Sequence, residues 1–231
     1  MLVGMASQPT MTVDQVIERM RQLRTALPED DGVARFNAMY LRVTELIGER
    51  LTAGFFDDPG FMAELDARFA ARYLAAVDAA ATGGRPAACW RPLFELRGHR
   101  GIHPLQFALA GMNAHIENDL PLSLVDTCRA LGREPERVER DYLRVNTLLA
   151  QVEDQVRDEL LGGSAELDLA DPLLHVLGVW SVDRARDAAW ASALSLWELR
   201  GIPFVRGAFT DTLSGSVGMV SRALLTPLNG R

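Results

Sequence analysis

Along this chain apolar residues recur three and four positions apart, segment after segment, and no stretch sustains the every-other-residue alternation of a half-buried strand. This pattern constrains the fold more than any other feature. Side chains spaced this way line one face of an α-helix, whereas on a strand they would scatter over both faces of a sheet. The chain is therefore expected to be all-α.

The boundaries follow from capping and breaking residues. Thr12 and Gln15 have the spacing of a capping box, opening a helix expected to reach about residue 27. A second helix is expected over residues 33–51, with Phe36, Met39, Tyr40, Val43, Ile47 and Leu51 as its apolar stripe. Asp58 before Pro59 reads as an N-cap followed by a first-turn proline, starting a third helix to about residue 80 that carries Phe61, Leu65, Phe69, Tyr73 and Val77. A short piece over 92–97 precedes a fifth helix expected from His103-Pro104 to Asp119, with Pro121 breaking it. Further helices are expected over 122–131 and 135–161, from Asp171-Pro172 onward, from Ser181 to Arg200, and over 204–225. About eight helices on short loops, without sustained heptads, describe a compact bundle rather than a coiled coil. Residues 12–231 are read as one domain behind a flexible stretch of residues 1–11.

Composition narrows the chemistry. All 24 basic residues are arginine. Without lysine the chain has no Schiff-base nucleophile, no anchor for pyridoxal phosphate and no P-loop lysine. A net charge of -7 argues against sequence-independent nucleic-acid binding, which needs a basic surface. Cys89 and Cys128 match no zinc or CxxC spacing and read as buried thiols in a reducing compartment. With no signal-like N-terminus and no apolar run of about eighteen residues, a cytoplasmic protein with no membrane partner is expected. Homo-oligomerisation is left open.

The most chemically loaded segment is Gly111-Met-Asn-Ala-His-Ile-Glu-Asn-Asp119. Projected on a helix, Leu105, Leu109, Met112 and Ile116 share an apolar face flanked by two polar stripes. Gln106, Asn113 and Glu117 form one; His115 and Asp119, four residues apart, form the other beside Ala108 and Gly111. A carboxylate one turn from an imidazole holds its tautomer and raises its basicity, so His115 and Asp119 are the candidate catalytic pair. A surface ion pair, or a core histidine satisfied by the aspartate, fits the same spacing. The small neighbours fit either close backbone packing or room for a ligand.

In the second helix, Asn37, Tyr40 and Thr44 border the apolar stripe. Asn37 and Tyr40, with Asn113, Gln106 and Trp190, are the candidate substrate-binding residues. Asp183, Asp187, Trp190, Leu194 and Trp197 share a stripe that would line an aromatic pocket, or would put two aspartates against the helix macrodipole above ordinary core tryptophans. His103, His115, Asp119 and His175 supply metal-ligand types but no HExxH or ExxH signature, so no metal or other cofactor is expected, and metal chemistry ranks second. Phe55-Phe-Asp-Asp58 lacks a third aspartate for a Mg²⁺ motif, and Ser214-Gly-Ser-Val-Gly218 is not a nucleophile elbow.

Three phrases carry a family resemblance: Arg35-Phe-Asn-Ala-Met-Tyr40; Phe107-Ala-Leu-Ala-Gly-Met-Asn-Ala-His115 with Asn118-Asp-Leu-Pro121; and Ala185-Arg-Asp-Ala-Ala-Trp190. On these the chain resembles the DUF5995 family of mainly actinobacterial proteins over most of its length. Where the family usually reads Asn-Ala-His-Ile-Asn, this chain has Glu117. The resemblance brings no reaction with it. From the residues, the leading expectation is an enzyme of specialised metabolism that uses His115 and Asp119 for acid-base chemistry on a small-molecule substrate between helices, as a cyclase, lyase or hydrolase. A zinc or iron hydrolase or oxygenase is the alternative. A non-catalytic helical binding or scaffold protein is the third, and as a scaffold it would have a filled interior at His115.

Overall fold

The computed structural model describes residues 11–160 and 181–227. Among them are nine α-helical segments and no strand: α1 Val13–Ala26, α2 Gly32–Thr52, α3 Pro59–Ala81, α4 Arg91–Leu96, α5 Pro104–Asn113, α6 Leu120–Leu131, α7 Glu139–Leu160, α8 Val182–Glu198 and α9 Pro203–Leu224. The expected helix at Asp171-Pro172, the Gly162-Gly163 stop, His175 and residues 1–10 lie outside the described residues.

Two of the expected caps are formed, whereas Ser181, expected to cap α8, sits at its N-cap position without a side-chain capping bond. Thr12 and Gln15 make the reciprocal capping box of α1, and Asp58 accepts from the Phe61 amide with Pro59 in the first turn of α3. Asp31 caps α2 through Val33 N–H at 2.8 Å and also receives Arg97 Nε at 2.6 Å, fixing α2 to the end of α4. Two boundaries differ. Residues 135–137 form a 3-10 turn ahead of α7, and Pro121 breaks nothing. Instead α5 and α6 are one rod, joined through the π-helical segment Ala114–Asp119, in which Leu120 N–H reaches back five residues to the His115 carbonyl. A proline inside an α-helix collides with the carbonyl four residues before it, here that of Glu117. The wider π turn accommodates the ring and lets the rod continue. Such turns recur at functional sites.

The core forms two clusters. One gathers α1, α2, the second half of α3, α4, α5 and the C-terminal part of α9 around Phe36, Tyr73, Trp90 and Leu93. The other gathers the start of α3 with α6, α7 and α8 around Phe61, Leu124, Tyr142 and Leu196. Val43, Leu46, Phe69 and Met112 touch both, so the α2, α3 and α5 faces that carry them form the seam. Two glycines permit close approach along the α5 rod. A Cβ on Gly111 would lie 2.3 Å from the Phe36 ring, and one on Gly32 would lie 2.4 Å from Phe107. The small residues near His115 thus serve packing of α2 on α5. Cys89 and Cys128 are buried free thiols pushed up to about 12 by burial.

Candidate functional site

A cavity of about 120 Å³ lies at the seam. Its wall is mainly aliphatic and aromatic, from α2, α3, α5, the π segment, the first residue of α6, α7 and α8. Tyr40, Asp66, His115, Tyr142 and Arg186 supply its polar groups. The volume suits one ring: a cavity of about 150 Å³ lined by aliphatic and aromatic side chains holds benzene.

The π segment presents His115 to this cavity, and Asp119, Phe69 and Tyr40 hold the imidazole. Its Nδ1 lies 3.0 Å from Asp119 Oδ2, an oxygen that also accepts Trp90 Nε1–H at 2.9 Å. Asn118 donates to Asp119 Oδ1 at 2.7 Å. Because indole and amide N–H groups only donate, Asp119 acts as the acceptor throughout, which assigns the imidazole proton to Nδ1. The Nε2 lone pair is then free for chemistry. Phe69 stacks on the imidazole at 3.5 Å and 6°, and Tyr40 meets it edge-on at 4.5 Å. Burial lowers the His115 pKa, Asp119 opposing it, so the ring is a neutral base at pH 7. His115 is 2% exposed and its Nε2 has no hydrogen-bond partner among the described residues.

Tyr40 lines the same cavity. Its hydroxyl is buried without a partner among the described residues, and its pKa is raised well above the ordinary value, first by burial and then by Asp66. Asp66 is the residue sequence reasoning missed. It occupies the buried face of α3 between Met62 and Phe69, its Oδ2 lacks a partner among the described residues, and burial pushes its carboxyl up to about 7. The available signal was one carboxylate within a stripe otherwise apolar from Phe61 to Tyr73.

The remaining expected site residues lie elsewhere. Gln106 Nε2 donates to the Leu224 and Thr226 carbonyls at 2.8 and 2.7 Å, and its Oε1 accepts from His103 N–H. Asn113 Nδ2 donates to the Val217 carbonyl and Ser221 Oγ. Both therefore anchor α9 to α5, facing away from the cavity, and neither is placed to hold a substrate in it. Asn37 bridges α1 and α3, donating to the Met20 carbonyl and accepting from Tyr73 Oη. Thr44 donates to the Tyr40 carbonyl within α2. Trp190 stands behind Tyr142, ring centroids 4.8 Å apart, outside the cavity wall. Asp183 and Asp187 are exposed while Trp197 of the same stripe is buried, so the aspartates do not line a pocket; α8 instead buries Arg186. Its Nη2 donates to the Tyr142 carbonyl at 2.6 Å, its Nε donates to Asn146, and its guanidinium covers the Tyr142 ring at 4.1 Å.

His103 is an N-cap, accepting from Leu105 N–H. Among the described residues no three His, Cys, Asp or Glu side chains cluster as a metal would require, and no helix is long and apolar enough to cross a membrane.

The sequence profile of a family described as "Family of unknown function (DUF5995)" matches residues 13–227. Comparison with curated proteins and with solved structures gave no match.

Proposed function

The chain belongs to the DUF5995 family, and from the site itself we propose that it is a small-molecule enzyme in which His115 is the general base and Asp119 positions it. The observation that carries this reading is the unpartnered Nε2 of a buried, neutral imidazole on an apolar cavity, with Nδ1 committed to Asp119. A buried polar atom without a partner is destabilising by about 1–3 kcal/mol, so its retention fits a role realised when a ligand arrives. An imidazole held to one tautomer takes a proton without first reorienting, which is what general-base catalysis needs. Five aromatic rings within 6.2 Å of the imidazole, those of Phe36, Tyr40, Phe69, Tyr73 and Trp90, fix its plane.

The wall favours a small, largely apolar substrate of about one ring, and a reaction that begins with proton abstraction, as cyclase, lyase and isomerase reactions do. An apolar cavity of this size leaves little room for a hydrolytic water beside a ligand. The cavity beside His115 supports a ligand site over a scaffold whose interior is filled.

The test is untargeted. Wild-type protein and His115→Gln are incubated with a small-molecule extract and compared by mass spectrometry. At least one small apolar compound is expected to be converted by the wild type and left intact by His115→Gln, with Asp119→Asn intermediate. Identical profiles for wild type and His115→Gln would refute the assignment.

A further inference from the structure

Three polar atoms on the cavity wall lack a partner among the described residues: the Tyr40 hydroxyl, Asp66 Oδ2 and His115 Nε2. They come from α2, α3 and the π segment. Tyr40 is 4% exposed, Asp66 9% and His115 2%, so each atom depends on a ligand to complete its hydrogen bonding. Their chemistries differ. His115 Nε2 offers a lone pair, whereas a phenol and a protonated carboxyl offer hydrogens.

Resting on the general-base reading above, we infer that Tyr40 and Asp66 are a two-donor clamp for a carbonyl oxygen, and that the substrate is a small, largely apolar carbonyl compound with an acidic C–H. Burial keeps the Tyr40 phenol protonated and holds the Asp66 carboxyl protonated into the neutral range, so both donate. Two donors aimed at an oxygen that becomes negative in the transition state are the electrostatic arrangement that lowers an enolisation barrier.

The step balances without a co-reactant. His115 Nε2 takes the proton from the carbon beside the carbonyl, and that C–H electron pair becomes a C=C bond. The carbonyl π pair moves onto oxygen, held by the Tyr40 and Asp66 hydroxyl hydrogens. In a substrate with a C=C bond β,γ to the carbonyl this gives a dienolate: the imidazolium returns its proton to the γ carbon through the β,γ pair, the former enolate C=C pair becomes the α,β double bond, and the oxygen pair re-forms C=O. Nothing is oxidised or reduced, and the product is an isomer.

The test uses 4-nitrophenol, whose ring suits the cavity, whose oxygen resembles the enolate oxygen and whose ionised form is yellow. Binding is followed by absorbance, at a pH where the free phenol is mainly protonated, for the full chain and four variants. The wild type is expected to bind it and develop the phenolate band. Tyr40→Phe and Asp66→Leu should each weaken binding about tenfold or more, since each removes a hydrogen bond to a charged acceptor. Asp66→Asn keeps a donor and should recover part of the loss. His115→Gln should retain binding while losing the band. Wild-type affinity in both Tyr40→Phe and Asp66→Leu would overturn the clamp while leaving the base assignment standing if His115→Gln still loses the band. Failure of folded wild type to bind the phenol would also overturn the clamp, whatever the extract experiment shows about His115.

Discussion

Replacing Asp66 with asparagine should stabilise this protein, and increasingly so as pH rises. The buried carboxyl goes from an ordinary 3.8 to about 7 because its charged form is desolvated. A raised acid pKa means that the folded state holds its proton while the unfolded chain has already released it. Folding stability is therefore unpenalised below about pH 4, falls as pH rises between the two values, and reaches its full penalty above about pH 7. About three pH units at about 1.4 kcal/mol each give about 4 kcal/mol, and local relaxation brings the expected difference to about 2–4 kcal/mol. Asparagine has nearly the same shape and no charge, so it removes the slope. His115 titrates in the opposite sense in both proteins: its lowered pKa makes stability fall as pH drops below its ordinary 6.5, so it cancels in the comparison. Urea unfolding at pH 4.5 and pH 8 measures the effect. The variant should match the wild type within about 1 kcal/mol at the lower pH and exceed it by about 2–4 kcal/mol at the higher. A difference that does not change with pH would refute the placement of an uncompensated carboxyl in the cavity wall.

Three further outcomes are expected. Asp119→Ala leaves Trp90 Nε1, Asn118 Nδ2 and His115 Nδ1 without their acceptor; thermal and urea unfolding should show a loss of about 3–5 kcal/mol, and a neutral substitution would contradict the network. Gly111→Ala drives a methyl into the Phe36 ring at 2.3 Å and should lower stability by about 1–3 kcal/mol, whereas glycine-to-alanine in an open helix would raise it. Gln106→Ala frees the Leu224 and Thr226 carbonyls, and hydrogen exchange should accelerate at the C-terminal turn of α9 while α1 is unaffected.

Helical identity and most boundaries were legible because caps and periodicity are local: the Thr12 box, the Asp58-Pro59 start and the α2 and α3 stripes require only neighbours in sequence. The four-residue spacing of His115 and Asp119 likewise brought them within hydrogen-bond reach, since both sit on one rod. The sequence also separated the Asn113 stripe from the His115 stripe, and they do face different partners, α9 and the cavity. What the partners are was not local. Asp119 meets Trp90 across 29 residues, and Gln106 meets the chain near Thr226 across 120. The continuity of α5 and α6 through Pro121 depended on a π turn, a change in hydrogen-bond register that a proline signal does not report. Asp66 was hidden because a carboxylate is ordinarily solvated; only the packing of α2, α3 and the π segment around a shared seam removes its water. The residue types and the faces they occupy were determined by the sequence alone. Which faces meet, and therefore which polar atoms share one cavity, was decided by tertiary packing, because desolvation acts on groups brought together from distant parts of the chain.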